Sequence, residues 1–135
     1  MDDFSKLNFK TDTSIALIKS ALDLHIDIWV SQPSNLTLRN KKLSVNARRI
    51  IDESFKFQEE DVLNLDKFDF VLIRQDPPFD MNYISNCYLL EIHKQFNKKP
   101  IFINDPSGIK NFTEKIYPLY FPHIMPETLI TSNPN

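Results

Sequence analysis

The chain has 135 residues, 41% of them hydrophobic and 25% charged, with a formal net charge of -2: room for one domain and one core, and no global attraction to nucleic acid or an anionic membrane. Its single cysteine, Cys87, excludes an internal disulfide and any multi-cysteine metal site. No apolar run approaches the ~20 residues of a membrane span, and Met1 is followed by Asp2 and Asp3 rather than by a signal peptide, which makes the cytoplasm the expected compartment.

Met1 to Lys10 is polar, with Phe4, Leu7 and Phe9 scattered through it, and reads as loop. Asp12, Thr13 and Ser14 are good N-cap residues. Ile15, Ile18, Leu22 and His25 then share one face, which predicts an amphipathic helix from about Thr13 to Leu24. His25 stands where a C-terminal glycine is usual and is expected to be a capping or surface histidine. Ile26, Ile28 and Val30 alternate with Asp27 and Trp29, a strand with one more polar edge. Gln32-Pro33-Ser34-Asn35 is a turn. Leu36-Thr37-Leu38 and Leu43-Ser44-Val45 flank Asn40-Lys41 and predict a hairpin. Arg39, Lys41, Lys42, Arg48 and Arg49 make it basic, so a nucleic-acid-binding ribbon is conceivable, but a solvated hairpin is the favoured reading. Phe55 and Phe57 suggest a short strand, and Glu59-Glu60-Asp61 opens an acidic connection toward Asp69.

Phe70 to Ile73 is too short for a helix and suits a strand buried on both faces. Arg74 ends it, and Pro77 and Pro78 stiffen the acidic loop that follows. Open α/β sheets place ligands beyond the carboxyl ends of their strands, so this loop is the first candidate site. An ordinary strand-to-helix turn is the alternative. Asp80 can cap a helix running to about Asn97, with Met81, Ile84, Tyr88, Leu89, Ile92 and Phe96 as its apolar stripe. Cys87 flanks that stripe as an inert buried thiol, and His93 falls on the polar side. Pro100 to Ile103 is another short strand, and Asn104 to Gly108 a turn that starts a helix through Ile109 and Phe112. Phe112, Ile116, Leu119 and Tyr120 are expected to pack inward, with a kink at Pro118. Pro126 to Ile130 begins an extended stretch. The order predicts an α/β fold, a mainly parallel sheet flanked by helices with a β-hairpin insertion.

The string Arg74-Gln75-Asp76-Pro77-Pro78-Phe79-Asp80 resembles the Arg-Lys-Asp-Pro-Pro-Phe-Asp signature of bacterial-type glutathione synthetases. Asn8 to Ser14 is similar to the family's Lys-Lys-Asp-Ser/Thr helix start, and Pro33 to Leu38 to its Pro-Ser-Asp-Leu-Tyr-Leu. Pro106 to Phe121, with Glu114-Lys115, and Pro126-Glu127-Thr128-Leu129-Ile130 continue the likeness. Asp3, Gln75 and Thr113 depart from it, replacing proline, lysine and asparagine; Gln75 removes a positive charge beside Arg74.

The resemblance implies a Rossmann-like pre-ATP-grasp domain over residues 1–125, followed by the start of a linker, residues 126–135, into an absent ATP-grasp domain. The family's first strand is expected before Met1, and its loss is expected to weaken the fold. The implied activity is ATP-dependent ligation of γ-glutamylcysteine with glycine through an acyl phosphate, with Mg²⁺, in a full-length enzyme expected to be a homo-oligomer. By itself the chain is expected to be inactive and to bind no cofactor, nucleic acid or membrane. Arg74 is implied to hold a substrate carboxylate through its planar fork. Asp76, Asp80 and Asp2 are implied to bind the substrate ammonium or orient Arg74, and Lys115 to contact ATP phosphate. No catalytic residue or metal ligand is assigned. The rivals are an Arg74–Asp76 ion pair that only ties the strand end, and a non-catalytic remnant or small-peptide binding domain.

Overall fold

Alternation along Lys42–Arg49 organises the larger sheet. In the computed structural model, which describes residues 1, 3–113 and 116–133, helix α1 (Thr13–Asp23) is followed by strands β1 (Trp29–Val30), β2 (Leu36–Arg39), β3 (Lys42–Arg49) and β4 (Asp61–Asn64). Asp12 starts α1 by accepting the Ser14 backbone N–H at 2.7 Å, and His25 leaves it with φ 55°. Asn40 and Lys41 have φ of 50° and 65°. A two-residue turn with both residues left-handed matches the twist of a hairpin, so β2 and β3 pair directly. Val45 lies opposite both Leu36 of β2 and Leu63 of β4, so these flank β3 on opposite edges. β1 pairs with the last two residues of β3. Every pairing here is antiparallel. Leu43, Val45 and Ala47 point inward and form the core with Leu65 and Leu90.

The chain then builds β5 (Phe70–Leu72), α2 (Met81–Phe96), β6 (Ile101–Ile103) and α3 (Pro106–Asn111). β5 and β6 are parallel, with Val71 opposite Phe102, and α2 is the helix between them. The fold is therefore mixed α/β, but the mainly parallel sheet expected from alternation is corrected to a parallel pair beside a larger antiparallel sheet. Tight turns let the hairpin strands satisfy one another, and the stretch read as an acidic connection joins them as β4.

Four expectations about burial are also corrected. β5 is not buried on both faces: Phe70 is 58% and Ile101 57% exposed, and Leu72 and Ile103 lie open beside them. On α2 the buried residues are Cys87, Leu90 and His93, whereas Met81, Tyr88 and Phe96 of the predicted stripe are exposed. His93, expected on the polar side, is 1% exposed. Its Nε2 donates to the Lys99 carbonyl at 2.9 Å and its Nδ1 accepts from Asn97 Nδ2 at 3.3 Å, so burial leaves neither ring nitrogen unsatisfied. Finally, Phe112, Ile116, Leu119 and Tyr120 do not pack inward; all are exposed. Phe112 instead packs edge-on against Tyr117, with centroids 4.5 Å apart.

Candidate functional site

The carboxyl end of β5 meets the amino ends of two helices. Ile73 N–H donates to the Ile103 carbonyl at 2.6 Å, carrying the parallel pairing one residue further. Arg74 follows at once, exposed. Its Nε donates to Ser14 Oγ at 3.3 Å, across 60 residues of chain. Ser14 is 8% exposed, in the first turn of α1. Gln75 is half-buried, and its side-chain oxygen accepts from Asn86 Nδ2 of α2 at 3.5 Å. The prolines Pro77 and Pro78, joined by a cis bond, lead to Asp80. Asp80 caps α2, accepting the Tyr83 backbone N–H at 2.9 Å, while the Phe79 ring lies 4.9 Å from that of Tyr83. The loop is thus pinned at both ends.

Arg74, Asp76 and Asp80 fall together in this loop, and Asp76 is exposed within it. Asp2 and Lys115 lie outside the described residues. Ser14 and Asn86 were missed. The Asp12-Thr13-Ser14 string announces a helix start, but nothing local announces that its serine reaches a strand end sixty residues later.

An exposed guanidinium with its Nε engaged keeps both terminal nitrogens for a planar, two-pronged contact with a carboxylate. A shallow cleft of about 220 Å³ lies elsewhere, between Met1, Val30, Ser31, Gln32 and Arg48. Among the described residues no three His, Cys, Asp or Glu side chains cluster as they would around a metal held by protein ligands alone. Cys87 is buried, and burial pushes its thiol up, away from the reactive thiolate. No described helix is long and apolar enough to cross a membrane.

Residues 1–110, which contain Ser14, the Arg74–Asp80 loop and α2, match the family model described as the prokaryotic glutathione synthetase N-terminal domain. The chain belongs to that family. The glutathione synthetases of Brucella melitensis biotype 1 and Mesorhizobium japonicum are each 36% identical to it over 99% of this chain and 44% of their own length. That of Coxiella burnetii is 31% identical over 98% of the chain and 42% of its own length. The chain therefore spans less than half the length of these relatives. As a glutathione synthetase N-terminal domain, it carries the Arg74 loop on the scaffold just described.

Proposed function

We propose that this chain is the part of a glutathione synthetase that holds the γ-glutamylcysteine substrate, and that the loop Arg74–Asp80 is its peptide site. The observation that carries this reading is Arg74: an exposed guanidinium at the end of a parallel strand, in the family's matched region, with its Nε tied back to α1. Its two terminal nitrogens clasp a substrate carboxylate. Asp76, Asp80 and Asp2 supply negative charge for the substrate ammonium; Asp80 does so with its second oxygen while the first caps α2. Lys115 faces ATP phosphate as a point charge.

In the whole enzyme, on this reading, a Rossmann-like domain precedes an ATP-grasp domain. ATP would phosphorylate the γ-glutamylcysteine carboxylate, releasing ADP, and the glycine amine would then displace phosphate from the acyl phosphate; Mg²⁺, where bound, would neutralise phosphate charge. The enzyme is a cytoplasmic homo-oligomer. The exposure of Arg74 fits a half-site closed by a further domain that excludes water and strengthens the ion pair.

Titration of the ¹⁵N-labelled chain with γ-glutamylcysteine tests the peptide site. Resonance shifts confined to Ser14, Arg74 to Asp80 and the first turn of α2 are expected. Shifts centred on the Met1–Arg48 cleft would place the peptide elsewhere. A parallel assay with ATP, Mg²⁺, γ-glutamylcysteine and glycine should give no product above blank from this chain alone. Glutathione formation would show that these residues contain the whole catalytic apparatus.

A further inference from the structure

We propose that Ser14 is a positioning residue that fixes Arg74 for an end-on contact with the substrate carboxylate. The proposal rests on the reading of Arg74 as the carboxylate holder. A free arginine side chain at a strand end samples many rotamers, and a ligand that orders it must offset that lost entropy. The Arg74 Nε–H bond to Ser14 Oγ at 3.3 Å removes much of this freedom beforehand. It also selects an edge of the guanidinium. A carboxylate can dock on the side, using Nε and one terminal nitrogen, or on the end, using both terminal nitrogens. With Nε occupied, the end-on mode remains.

Ser14 is suited to this task by its own fixation. It is 8% exposed, its backbone N–H is held by Asp12 Oδ1 at 2.7 Å, and it lies in the first turn of an eleven-residue helix. Burial and the helix backbone hold the residue in place, so it offers Arg74 a well-placed acceptor. Gln75, the next residue, is tethered by Asn86 on the other side, so the strand end is held from α1 and α2 alike.

The test uses this chain, with γ-glutamylcysteine as probe and the arginine Nε–H resonances as a second readout. In the unliganded wild type, the Arg74 Nε–H should exchange with solvent more slowly than that of Arg39, which is also exposed. Equal exchange overturns the proposal, and this measurement needs no variant to fold. Ser14→Ala should weaken peptide binding by about 2- to 10-fold, the cost of ordering one long side chain. Ser14→Thr, which keeps the acceptor, should restore most of the affinity. In an Arg74→Ala background Ser14→Ala should cost nothing further; additive losses would mean that Ser14 acts by another route. If Arg74→Ala weakens binding and Ser14→Ala does not, the positioning role is wrong and the Arg74 site stands. If Arg74→Ala leaves binding unchanged, the peptide-site reading is wrong, and the proposal fails with it.

Discussion

His93 Nε2 donates a 2.9 Å hydrogen bond to the backbone carbonyl of Lys99, tying the end of α2 to the start of β6. The carbonyl needs a donor, so the ring carries its proton on Nε2, and Nδ1 takes the Asn97 side-chain amide. His93→Ala opens a cavity and strands the acceptor. It should cost about 2–4 kcal/mol, read as a shift in the urea midpoint at unchanged slope. A change within about 0.5 kcal/mol would show that water replaces the ring at no cost.

The outer face of the parallel pair makes the opposite prediction. Phe70, Leu72, Ile101 and Ile103 present apolar side chains to solvent. Contiguous patches of this kind drive association. The double variant Phe70→Thr, Ile101→Thr keeps strand-compatible side chains and should leave the melting temperature nearly unchanged while lowering self-association by light scattering. A loss of several kcal/mol would mean that this face is covered in solution.

How much of this was legible beforehand depends on the range of the interaction. Caps and turns are local: Asp12, Asp80, His25 and the Asn40-Lys41 turn stand where their chemistry puts them. The burial of α2 is not local. Hydropathy favours the face with Met81, Tyr88 and Phe96, yet the buried face includes His93, because two hydrogen-bond partners outweigh its polarity. Sheet partners are likewise tertiary, so β4 hid in an acidic run and the antiparallel sheet outgrew the parallel one. In the candidate loop, Arg74, Asp76 and Asp80 were legible as one string, whereas the Arg74–Ser14 contact required the fold.

Lys41 holds a left-handed conformation that suits glycine, with φ 65°. Relief of that strain is worth about 1 kcal/mol. Its Nζ also sits 4.6 Å from the centre of the Phe96 ring, a contact worth roughly 0.5–1 kcal/mol when exposed. The difference favours glycine by at most about 0.5 kcal/mol, so Lys41→Gly should be neutral to slightly stabilising. Asn40→Gly should change less, since asparagine tolerates positive φ. Destabilisation by Lys41→Gly would show that the cation–ring contact wins.

Lys94 pairs with Asp105, the cap of α3, and its hydrogen bond holds that carboxyl below the usual carboxylate range. A lowered folded-state pKa gives stability that is present above the unfolded pKa of about 3.9 and is lost as pH falls through the folded value. Lys94→Met should therefore cost little stability near pH 3, where the wild type is already losing this contribution, and more at pH 6. Both partners are about half exposed, so the difference should be under about 1 kcal/mol. Equal effects at both pH values would remove Asp105 from the acid transition.

The central claim is that Arg74 holds the peptide substrate, and steady-state kinetics with each substrate varied in turn test it most directly. The suitable enzyme is the Brucella melitensis synthetase with its matching segment replaced by this chain. Arg74→Ala should lower kcat/KM for γ-glutamylcysteine by very roughly 30- to 1000-fold, the loss of a charge-assisted two-pronged contact of about 2–4 kcal/mol. Arg74→Lys should rescue it poorly, because an ammonium cannot make the planar contact. Lys115→Ala should instead raise the KM for ATP or lower kcat. If Arg74→Ala changes only the ATP dependence, or leaves every constant within about twofold, Arg74 is structural and the peptide site lies elsewhere.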